Sequence, residues 1–151
     1  MDFSLKKVEK NISEGKYKKK HKAEIDYISK VINFGNKKLT INSSVFDPLS
    51  IIYKIRNNFK AENFPTEIQI YDMGKIKTVL FELEQIEHIK VPFGKFDCIM
   101  ISPYSTTNKK LLKNNGQMKV WFTNDDRMIP IKIEQVTNIG TMVMELKEYL
   151  P

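Results

Sequence analysis

Cysteine, histidine and arginine are scarce in this sequence, and their scarcity excludes several kinds of site. Cys98 is the only cysteine among 151 residues, so an intramolecular disulfide and a cysteine-based metal cluster are both excluded. His21 and His88 are the only histidines, and neither has a second ligand at metal-binding spacing. No glycine-rich phosphate loop, nucleophile elbow or His-Glu-x-x-His helix occurs. We therefore expect no cofactor, no metal and no enzymatic activity.

Long apolar runs are also missing. No segment approaches the roughly 20 apolar residues that a membrane-spanning helix needs, so we expect a protein that is not transmembrane. The first eleven residues, MDFSLKKVEKN, lack the apolar segment of a signal peptide, which predicts either a cytosolic protein or an export signal upstream of this chain. Hydrophobic residues make up 41% of the chain and aromatic residues 11%, enough for one globular domain spanning residues 1–151.

The positive charge of the chain comes almost entirely from lysine. The net charge is +7, but Arg56 and Arg127 are the only arginines. Arginine makes bidentate contacts with phosphates and guanine edges, whereas lysine is a hydrated point charge, so solvated lysines are favoured over a nucleic-acid site. The alternative is a basic module that binds nucleic acid or an anionic membrane surface. Its candidate patch is Lys16, Lys18, Lys20 and Lys22.

Period-two alternation dominates the sequence and predicts a β-rich fold. Residues 17–27 alternate, with Lys18, Lys20 and Lys22 on the charged face that Lys16 begins and Lys19 on the opposite face, which is typical of a half-exposed antiparallel strand. Residues 3–8 are its predicted hairpin partner, with the turn at residues 13–15. Further strands are predicted at residues 30–34, 38–41, 67–71, 75–84, 85–91 and 96–101, with a long loop at 103–115. The fold class is thus mainly β: an antiparallel meander, curved or half-barrel-like.

One α-helix is predicted over about residues 47–59. Asp47 is a good N-cap, and Pro48 suits the first helical position, where no amide donor is needed. An apolar stripe then recurs at helical spacing and must be buried, most simply against the sheet. A partner-binding helix is the alternative. The stripe consists of Ile51, Ile52, Ile55 and Phe59.

The closing segment, residues 116–146, predicts two strands joined by a polar turn, then a second turn at 138–140 and a third strand. Alternation places Met118, Val120 and Phe122 on one face, and Lys119, Trp121 and Thr123 on the other. Trp121 is therefore predicted outside the core, at a sheet edge or lining a groove. The return strand shows an apolar face of Ile129, Ile131 and Ile133. Pro130 lacks an amide donor, so this strand is predicted to be an edge strand or bulged.

Three side-chain groups could carry chemistry. Asp125 and Asp126 form the one pair of adjacent carboxylates in this hairpin, and such a pair can bind a hard cation or divide acid and base roles. Their setting between Asn124 and Arg127 instead predicts a tight turn with a local charge partner. Cys98 alternates with apolar neighbours and is predicted to be a small buried residue. A hydrolase-like enzyme using Asp125, Asp126 and His88 is the least favoured alternative.

Three motifs resemble one bacterial cell-envelope family, which is catalogued only as domain of unknown function 3108. Residues 116–133, GQMKVWFTNDDRMIPIKI, resemble its Gly-x-Met-x-Ile-Trp segment, acidic turn and Arg-x-Ile-Pro-Val strand. Residues 46–50 with Tyr53 and Arg56 are similar to its Asp-Pro-Leu-Ser helix. Residues 91–97, VPFGKFD, are similar to its Val-Pro-x-Gly-x-Phe-Asp turn. The resemblance covers essentially the whole chain, although family members usually begin with a signal peptide and further strands.

The resemblance carries no catalytic role over to this chain. The family has no established activity, cofactor or catalytic residues, and its members imply a periplasmic or outer-membrane-associated location. Its layout is similar to that of the open barrels of lipoprotein carriers, which would place an apolar or lipid-like ligand between helix and sheet. The groove candidates are Ile51, Ile52, Ile55, Phe59 and Trp121. The leading hypothesis is a non-enzymatic envelope module, structural or lipid-binding, with an envelope protein as another partner. Absent first strands would leave an edge open to self-association.

Overall fold

The fold is mainly β, as predicted. The computed structural model describes residues 2–57, 59–106, 117–137 and 140–150. These residues form eleven strands, one α-helix (α1, Ser50–Asn57) and a short 3₁₀ helix (Ala61–Asn63). The strands are β1 (Lys7–Glu14), β2 (Tyr17–Asp26), β3 (Val31–Phe34), β4 (Lys37–Thr40), β5 (Val45–Phe46), β6 (Thr66–Asp72), β7 (Lys75–Val91), β8 (Gly94–Ser105), β9 (Gln117–Thr123), β10 (Pro130–Thr137) and β11 (Gly140–Glu145).

The strands follow one another in two sheets, largely in chain order. A four-stranded sheet has the order β1-β2-β3-β4, and a seven-stranded sheet has the order β11-β10-β9-β8-β7-β6-β5. The predicted antiparallel meander is confirmed in both. The exception is β5, which runs parallel to β6, with Val45 opposite Gln69. Each order is linear, so neither sheet closes into a barrel.

Contacts divide the chain into two compact units. One comprises Met1–Lys54 and Gln69–Lys77, and the other Ile55–Ile68 and Thr78–Pro151. The expectation of a single domain over residues 1–151 stays a prediction. In the first unit, an apolar core forms under the four-stranded sheet. Its buried members are Leu5, Val8, Ala23, Ile25, Ile32, Ile41, Val45 and Tyr71. Gly74 closes the β6–β7 turn with a φ of 83°, and a Cβ there would lie 2.7 Å from the Phe34 ring.

The first hairpin departs from its predicted start and from its predicted burial. Its first strand is β1, Lys7–Glu14, which replaces the predicted strand at residues 3–8. The whole of β1 pairs with β2, from Lys7 opposite Glu24 to Glu14 opposite Tyr17. By contrast, β3 pairs only with residues 24–26 of β2. Ala23 and Ile25 are buried as alternation predicts, but residues 17–20 are exposed on both faces. At its turn end, the β1–β2 hairpin therefore extends beyond β3 and β4.

In the second unit, the middle of the sheet is buried on both faces. Along β8, residues 98–101 are consecutively buried, and along β9 the same holds for residues 120–123. Consecutive burial is typical of a central strand that packs on both sides, whereas alternation assumes one wet face. One of the two faces carries the cluster of Val91, Cys98, Met100, Trp121, Ile129 and Ile131. The prediction that alternate residues of β9 face away from the core is thus wrong for Trp121 and Thr123, which are buried.

A β-bulge in β10 explains why its isoleucines do not share one face. Phe122 lies opposite Pro130, but Trp121 lies opposite Lys132, so the register shifts between Pro130 and Lys132. The bulge predicted from Pro130 is confirmed. Because the bulge adds one residue, Ile131 packs with Trp121 while Ile133 lies opposite Val120. The prediction that Ile129, Ile131 and Ile133 form one face is therefore wrong for Ile133.

Helix α1 begins as predicted and ends earlier. Asp47 caps it, because Asp47 Oδ1 accepts hydrogen bonds from the amides of Leu49 (3.0 Å) and Ser50 (2.6 Å). In return, the Ser50 hydroxyl accepts a hydrogen bond from the Asp47 amide at 2.8 Å. The helix ends at Asn57, so the predicted end near residue 59 is wrong and Phe59 follows the helix.

Two other strand boundaries differ from the prediction. The predicted strands at residues 75–84 and 85–91 are one strand, β7, whose register with β8 shifts between Leu83 and Ile86. The predicted loop at 103–115 is wrong at its start, since β8 continues to Ser105. Residues 107–115 of that loop, Gly116 after it and the turn residues 138–139 lie outside the described residues. Within the described part of the chain, no helix has the length and apolar character to span a membrane.

Candidate functional site

The acidic turn between β9 and β10 is organised around Asp125. The Thr123 hydroxyl donates to Asp125 Oδ1 at 2.6 Å, and the Arg127 amide donates to the same oxygen at 3.1 Å. The Arg127 guanidinium donates two hydrogen bonds to the other oxygen, Oδ2, from Nε at 2.9 Å and from Nη2 at 2.6 Å. Thr123 Oγ1 also accepts the buried amide of Ile129 at 2.9 Å. The predicted turn with Arg127 as its charge partner is confirmed.

These contacts set the protonation of the turn. The hydrogen bond from Thr123 lowers the pKa of Asp125 most, and the bonds and charge of Arg127 lower that pKa further. Asp125 raises the pKa of Arg127 in return. A carboxylate held ionised by these donors stabilises the turn as an anion, which is the opposite of the raised pKa that a general acid needs.

A cleft of about 300 Å³ lies beside this turn in the same unit. Its volume is at the lower end of the range for small-molecule sites. Most of its lining is polar, and the apolar part comes from Phe59, Ile99 and Met128. Arg56 lines it too and reaches the turn through Nε, which donates to the Arg127 carbonyl at 3.4 Å. The remaining lining residues are Asn57, Asn124, Asp125 and Asp126.

Trp121 lies in the core, not on an open face. It is 4% exposed, and it packs in the cluster that contains Cys98 and Ile131. Its indole Nε1 donates to Glu87 Oε2 at 3.1 Å, and Lys132 Nζ lies 4.7 Å from the ring centroid. Hydrogen bonds from Gln85 and then from Trp121 lower the pKa of Glu87. The expectation that Trp121 faces polar neighbours outside the core is wrong, because β9 is a central strand.

His88 and Cys98 each have a local structural contact. His88 Nδ1 is hydrogen-bonded to Asp97, its cross-strand neighbour on β8, rather than to Asp125 or Asp126. Cys98 is fully buried, as predicted, and burial raises the pKa of its thiol to about 11. Among the described residues, no group of three or more acidic, histidine or cysteine side chains is arranged to hold a metal ion.

A comparison with protein families identifies the chain. Residues 2–147 match the family model described as "Protein of unknown function (DUF3108)". The chain belongs to the DUF3108 family. No curated protein and no solved structure matches it.

The three motifs of this DUF3108 chain each fix a local structure. The Asp47 motif caps helix α1, and the motif at residues 91–97 makes the tight β7–β8 turn, where Val91 lies opposite Gly94. The third motif contains the Asp125 turn and the Trp121–Glu87 hydrogen bond. In this DUF3108 chain, therefore, the motif residues determine how strands and helix begin and turn.

The predicted basic patch of the DUF3108 chain lies on the first hairpin. Lys16 is in its turn, and Lys18, Lys20 and Lys22 follow on the exposed face of β2. Lys22 is partnered, since its Nζ lies 3.6 Å from Glu24 and 3.9 Å from Glu9. In the described part of the chain, no ion pair is formed by the other three lysines or by exposed Lys19. Sequence alternation missed Lys19, because it assigned that residue to a buried face.

The predicted apolar groove divides between the two units. Ile51 and Ile52 belong to the first unit, where Ile51 is buried and Ile52 half-buried. Ile55, Phe59 and Trp121 belong to the second, where Ile55 and Trp121 are buried. Half-buried Phe59 packs at a tilt against Phe64, with ring centroids 5.7 Å apart, and lines the polar cleft. A common groove for all five residues stays a prediction.

Glu87 and Thr123 are site residues that the sequence analysis missed. Glu87 alternates with Ile89 and Val91 on one face of β7, so a charge in an apolar series was the available signal. Thr123 is 3% exposed and bonds both Asp125 and Ile129. Threonine at the end of a strand before Asn-Asp is a common turn composition, and it carried no separate signal.

Proposed function

We propose that this protein is a non-enzymatic β-sheet module of the bacterial cell envelope, and that it binds an anionic lipid surface through its first hairpin. The envelope location, in the periplasm or at the outer membrane, rests on the family resemblance. The lipid surface rests on the turn end of the β1–β2 hairpin. We call this end the basic tip and define it as residues 16–20, KYKKK.

The basic tip carries the proposal because it concentrates positive charge on an exposed hairpin end, and its lysines form no ion pair among the side chains that the structure describes. Four of its five residues are lysines, and Tyr17 between them is 53% exposed. The tip lies beyond the part of β2 that pairs with β3, so neither face of the strand is packed there. Lysines near an anionic membrane contribute about 1 kcal/mol each, and tyrosine favours the headgroup region.

The residue types favour a lipid surface over nucleic acid. A diffuse layer of headgroups attracts lysines as point charges, whereas guanine edges and phosphates are best read by the arginine fork. Neither arginine of the chain is in the tip: Arg127 holds Asp125, and Arg56 reaches the Arg127 carbonyl. Tyr17 adds an amphipathic ring where such a surface would meet the protein.

The engagement of the reactive side chains supports a binding role in place of catalysis. Asp125 is held ionised in a turn, His88 is bonded to Asp97, and Cys98 is buried as a thiol. Each group has a local structural role, so the hydrolase-like alternative gains no support from their arrangement. The polar cleft beside Asp125 fits a small polar group better than an acyl chain. An apolar ligand at the helix stripe stays a proposal, and native mass spectrometry of the purified protein tests it.

Vesicle co-sedimentation tests the lipid proposal. Neutral phosphatidylcholine vesicles are compared with vesicles containing about 30% phosphatidylglycerol, at about 20 and 200 mM salt. We expect binding to the anionic vesicles only, and weaker binding at the higher salt concentration. Replacing Lys16, Lys18, Lys19 and Lys20 by glutamine should weaken that binding about 1,000-fold, because four charge contacts of about 1 kcal/mol each are lost.

A matched variant separates the tip from the net charge. Replacing Lys37, Lys38, Lys90 and Lys95, all exposed, by glutamine removes the same charge elsewhere. The proposal requires this control to bind nearly as well as the unmodified protein. Equal losses in both variants would show that net charge alone drives binding. Tighter binding of a short DNA duplex than of the anionic vesicles, with the same dependence on the tip, would replace lipid by nucleic acid as the partner.

A further inference from the structure

Strand β11 is the one described sheet edge that exposes apolar residues and lacks protection. The two edges of the four-stranded sheet, β1 and β4, carry lysines, and β5 is only two residues long and buried. Charged or very short edges are the usual defences against strand pairing. β11 is six residues long, and its sequence GTMVME has one charge, at its end. Met142, Val143 and Met144 are 51%, 46% and 48% exposed.

The hydrogen-bonding groups of β11 follow from its register. The Leu146 amide donates to the Ile131 carbonyl at 2.9 Å, which continues the ladder in which Glu145 lies opposite Lys132. In an antiparallel ladder alternate residues bond to the partner strand, so Met142 and Met144 bond inward to β10. The amides and carbonyls of Thr141, Val143 and Glu145 consequently point outward, away from β10. These three residues are a template for a further strand.

An apolar row crosses the sheet of the second unit and reaches this edge. Pairing aligns Ile101 with Val120, Val120 with Ile133, and Ile133 with Met144. Burial decreases along the row, because Ile101 is 1% exposed, Val120 7%, Ile133 half-buried and Met144 48%. The row therefore ends unburied at β11, where a further strand would continue it.

We propose that β11 pairs antiparallel with β11 of a second copy of this chain, about a two-fold axis at Val143. This register bonds Val143 to Val143 of the second copy and Thr141 to Glu145 of the second copy, so all three outward residues are used. It also places Met142 beside Met144 of the second copy, twice, on the face where the apolar row ends. The two glutamates face threonines and not each other, so no like charges oppose.

A second copy is the occupant because the strand is complementary to itself. A two-fold interface must match one patch with itself, and here Met142 meets Met144 on one face while Val143 meets Val143 between two threonine–glutamate pairs on the other. The exposed edge also has a limit at its C-terminal end. There the Leu146 carbonyl accepts a hydrogen bond from the Phe93 amide at 3.1 Å, so the chain after Glu145 is held by the β7–β8 turn. This inference stands apart from the proposed lipid binding, which involves the first hairpin.

Sedimentation velocity of the full chain tests the pairing. We expect a species of twice 17.7 kDa at micromolar to submillimolar concentrations. Val143→Lys and Val143→Glu should each raise the dimer dissociation constant at least about tenfold, because like charges then meet at the axis. An equal mixture of the two variants should restore the dimer, since lysine then faces glutamate. Thr40→Lys, an exposed edge position on β4, is the control and should leave the dimer intact.

Three results would overturn the proposal: a wild-type monomer throughout that concentration range, a dimer that both charged variants retain, or a mixture that stays monomeric although both variants fold. Circular dichroism checks their folding. Should either variant unfold, hydrogen exchange of the wild-type protein decides instead. Protection of the Thr141, Val143 and Glu145 amides should then rise with protein concentration, and constant exchange at these amides would contradict the pairing. Loss of vesicle binding alone leaves this inference untouched.

Discussion

The indole of Trp121 donates a 3.1 Å hydrogen bond to Glu87, which joins strand β9 to strand β7 across the intervening β8. Glu87, Trp121 and the whole of β8 belong to the second unit. Lys132 lies over the same ring, so a buried aromatic residue is bounded by an anion at its N–H and a cation at its face. This arrangement makes Trp121 a packing residue whose N–H is held by a hydrogen bond.

The Trp121–Glu87 bond should appear as a coupling energy. Trp121→Phe removes the donor and Glu87→Met removes the acceptor at similar size. In a double-mutant cycle measured by urea unfolding, we expect a coupling of about 1 kcal/mol. Pairing Trp121→Phe with Glu148→Met, at an exposed position, is the control and should be additive. An additive Trp121–Glu87 cycle would show that the bond contributes nothing to stability.

The bulge at Pro130 predicts unequal roles for two isoleucines that alternation treats alike. Ile131 is 1% exposed and packs with Trp121, whereas Ile133 is half-buried. Ile131→Ala should lower the free energy of unfolding by about 3–4 kcal/mol, and Ile133→Ala by about half as much. Equal losses in chemical denaturation would favour the regular alternating strand that the sequence alone predicts.

The Asp125 turn should make stability depend on pH in the acidic range. Its pKa is lowered on folding, so its contribution is fully present above the unfolded pKa, near 3.8, and is lost as pH falls through the lower folded pKa. Asp125→Asn should cost about 1–2 kcal/mol at pH 7, a modest figure because the ion pair is partly exposed. The difference between variant and wild type should shrink below about pH 4.

Urea unfolding between pH 7 and pH 2 measures this dependence. Asp126→Asn is the matched control, because Asp126 is the exposed neighbour in the same turn. We expect that control to follow the wild-type curve at every pH. An Asp125→Asn deficit that stayed constant down to pH 2 would mean that the carboxylate charge does not stabilise the turn.

Cys98 should be inert in the folded protein. It is fully buried and the pKa of its thiol is raised to about 11, so both access and ionisation limit its reaction. With a disulfide reagent at pH 8, labelling of the folded protein should be at least about 1,000-fold slower than labelling of the urea-unfolded protein. Rapid stoichiometric labelling without denaturant would contradict the packing of Cys98 against Met100 and Trp121.

Local patterns in the sequence were sufficient for most of the elements but not for their burial. Asp47 with Pro48 predicted the start of the helix, and Asn124 to Arg127 predicted the turn, because these signals act within a few residues. The position of Trp121 depends on β9 being a central strand, which is a property of pairing between distant segments. Alternation contains no information about how many layers cover a strand.

The two candidate binding surfaces were likewise predictable only where a local sequence pattern defined them, and not where strand pairing did. Lys16, Lys18 and Lys20 were predicted from their spacing, but Lys19 joins them only because β2 extends beyond its pairing with β3. The exposure of Met142 and Met144 similarly depends on β11 being the last strand of its sheet. Which strand lies at an edge is decided by topology, and composition alone does not reveal it.

An environment-sensitive fluorophore at the basic tip tests the central claim, lipid binding by the first hairpin, most directly. Tyr17→Cys allows labelling of the folded protein, because the buried Cys98 thiol stays unlabelled. The fluorophore at position 17 should shift to shorter wavelength and brighten on vesicles with about 30% phosphatidylglycerol, and not on neutral vesicles. The same fluorophore on a Ser43→Cys variant, an exposed loop position, should not respond. No change at position 17, or an equal change at position 43, would contradict membrane contact by this hairpin.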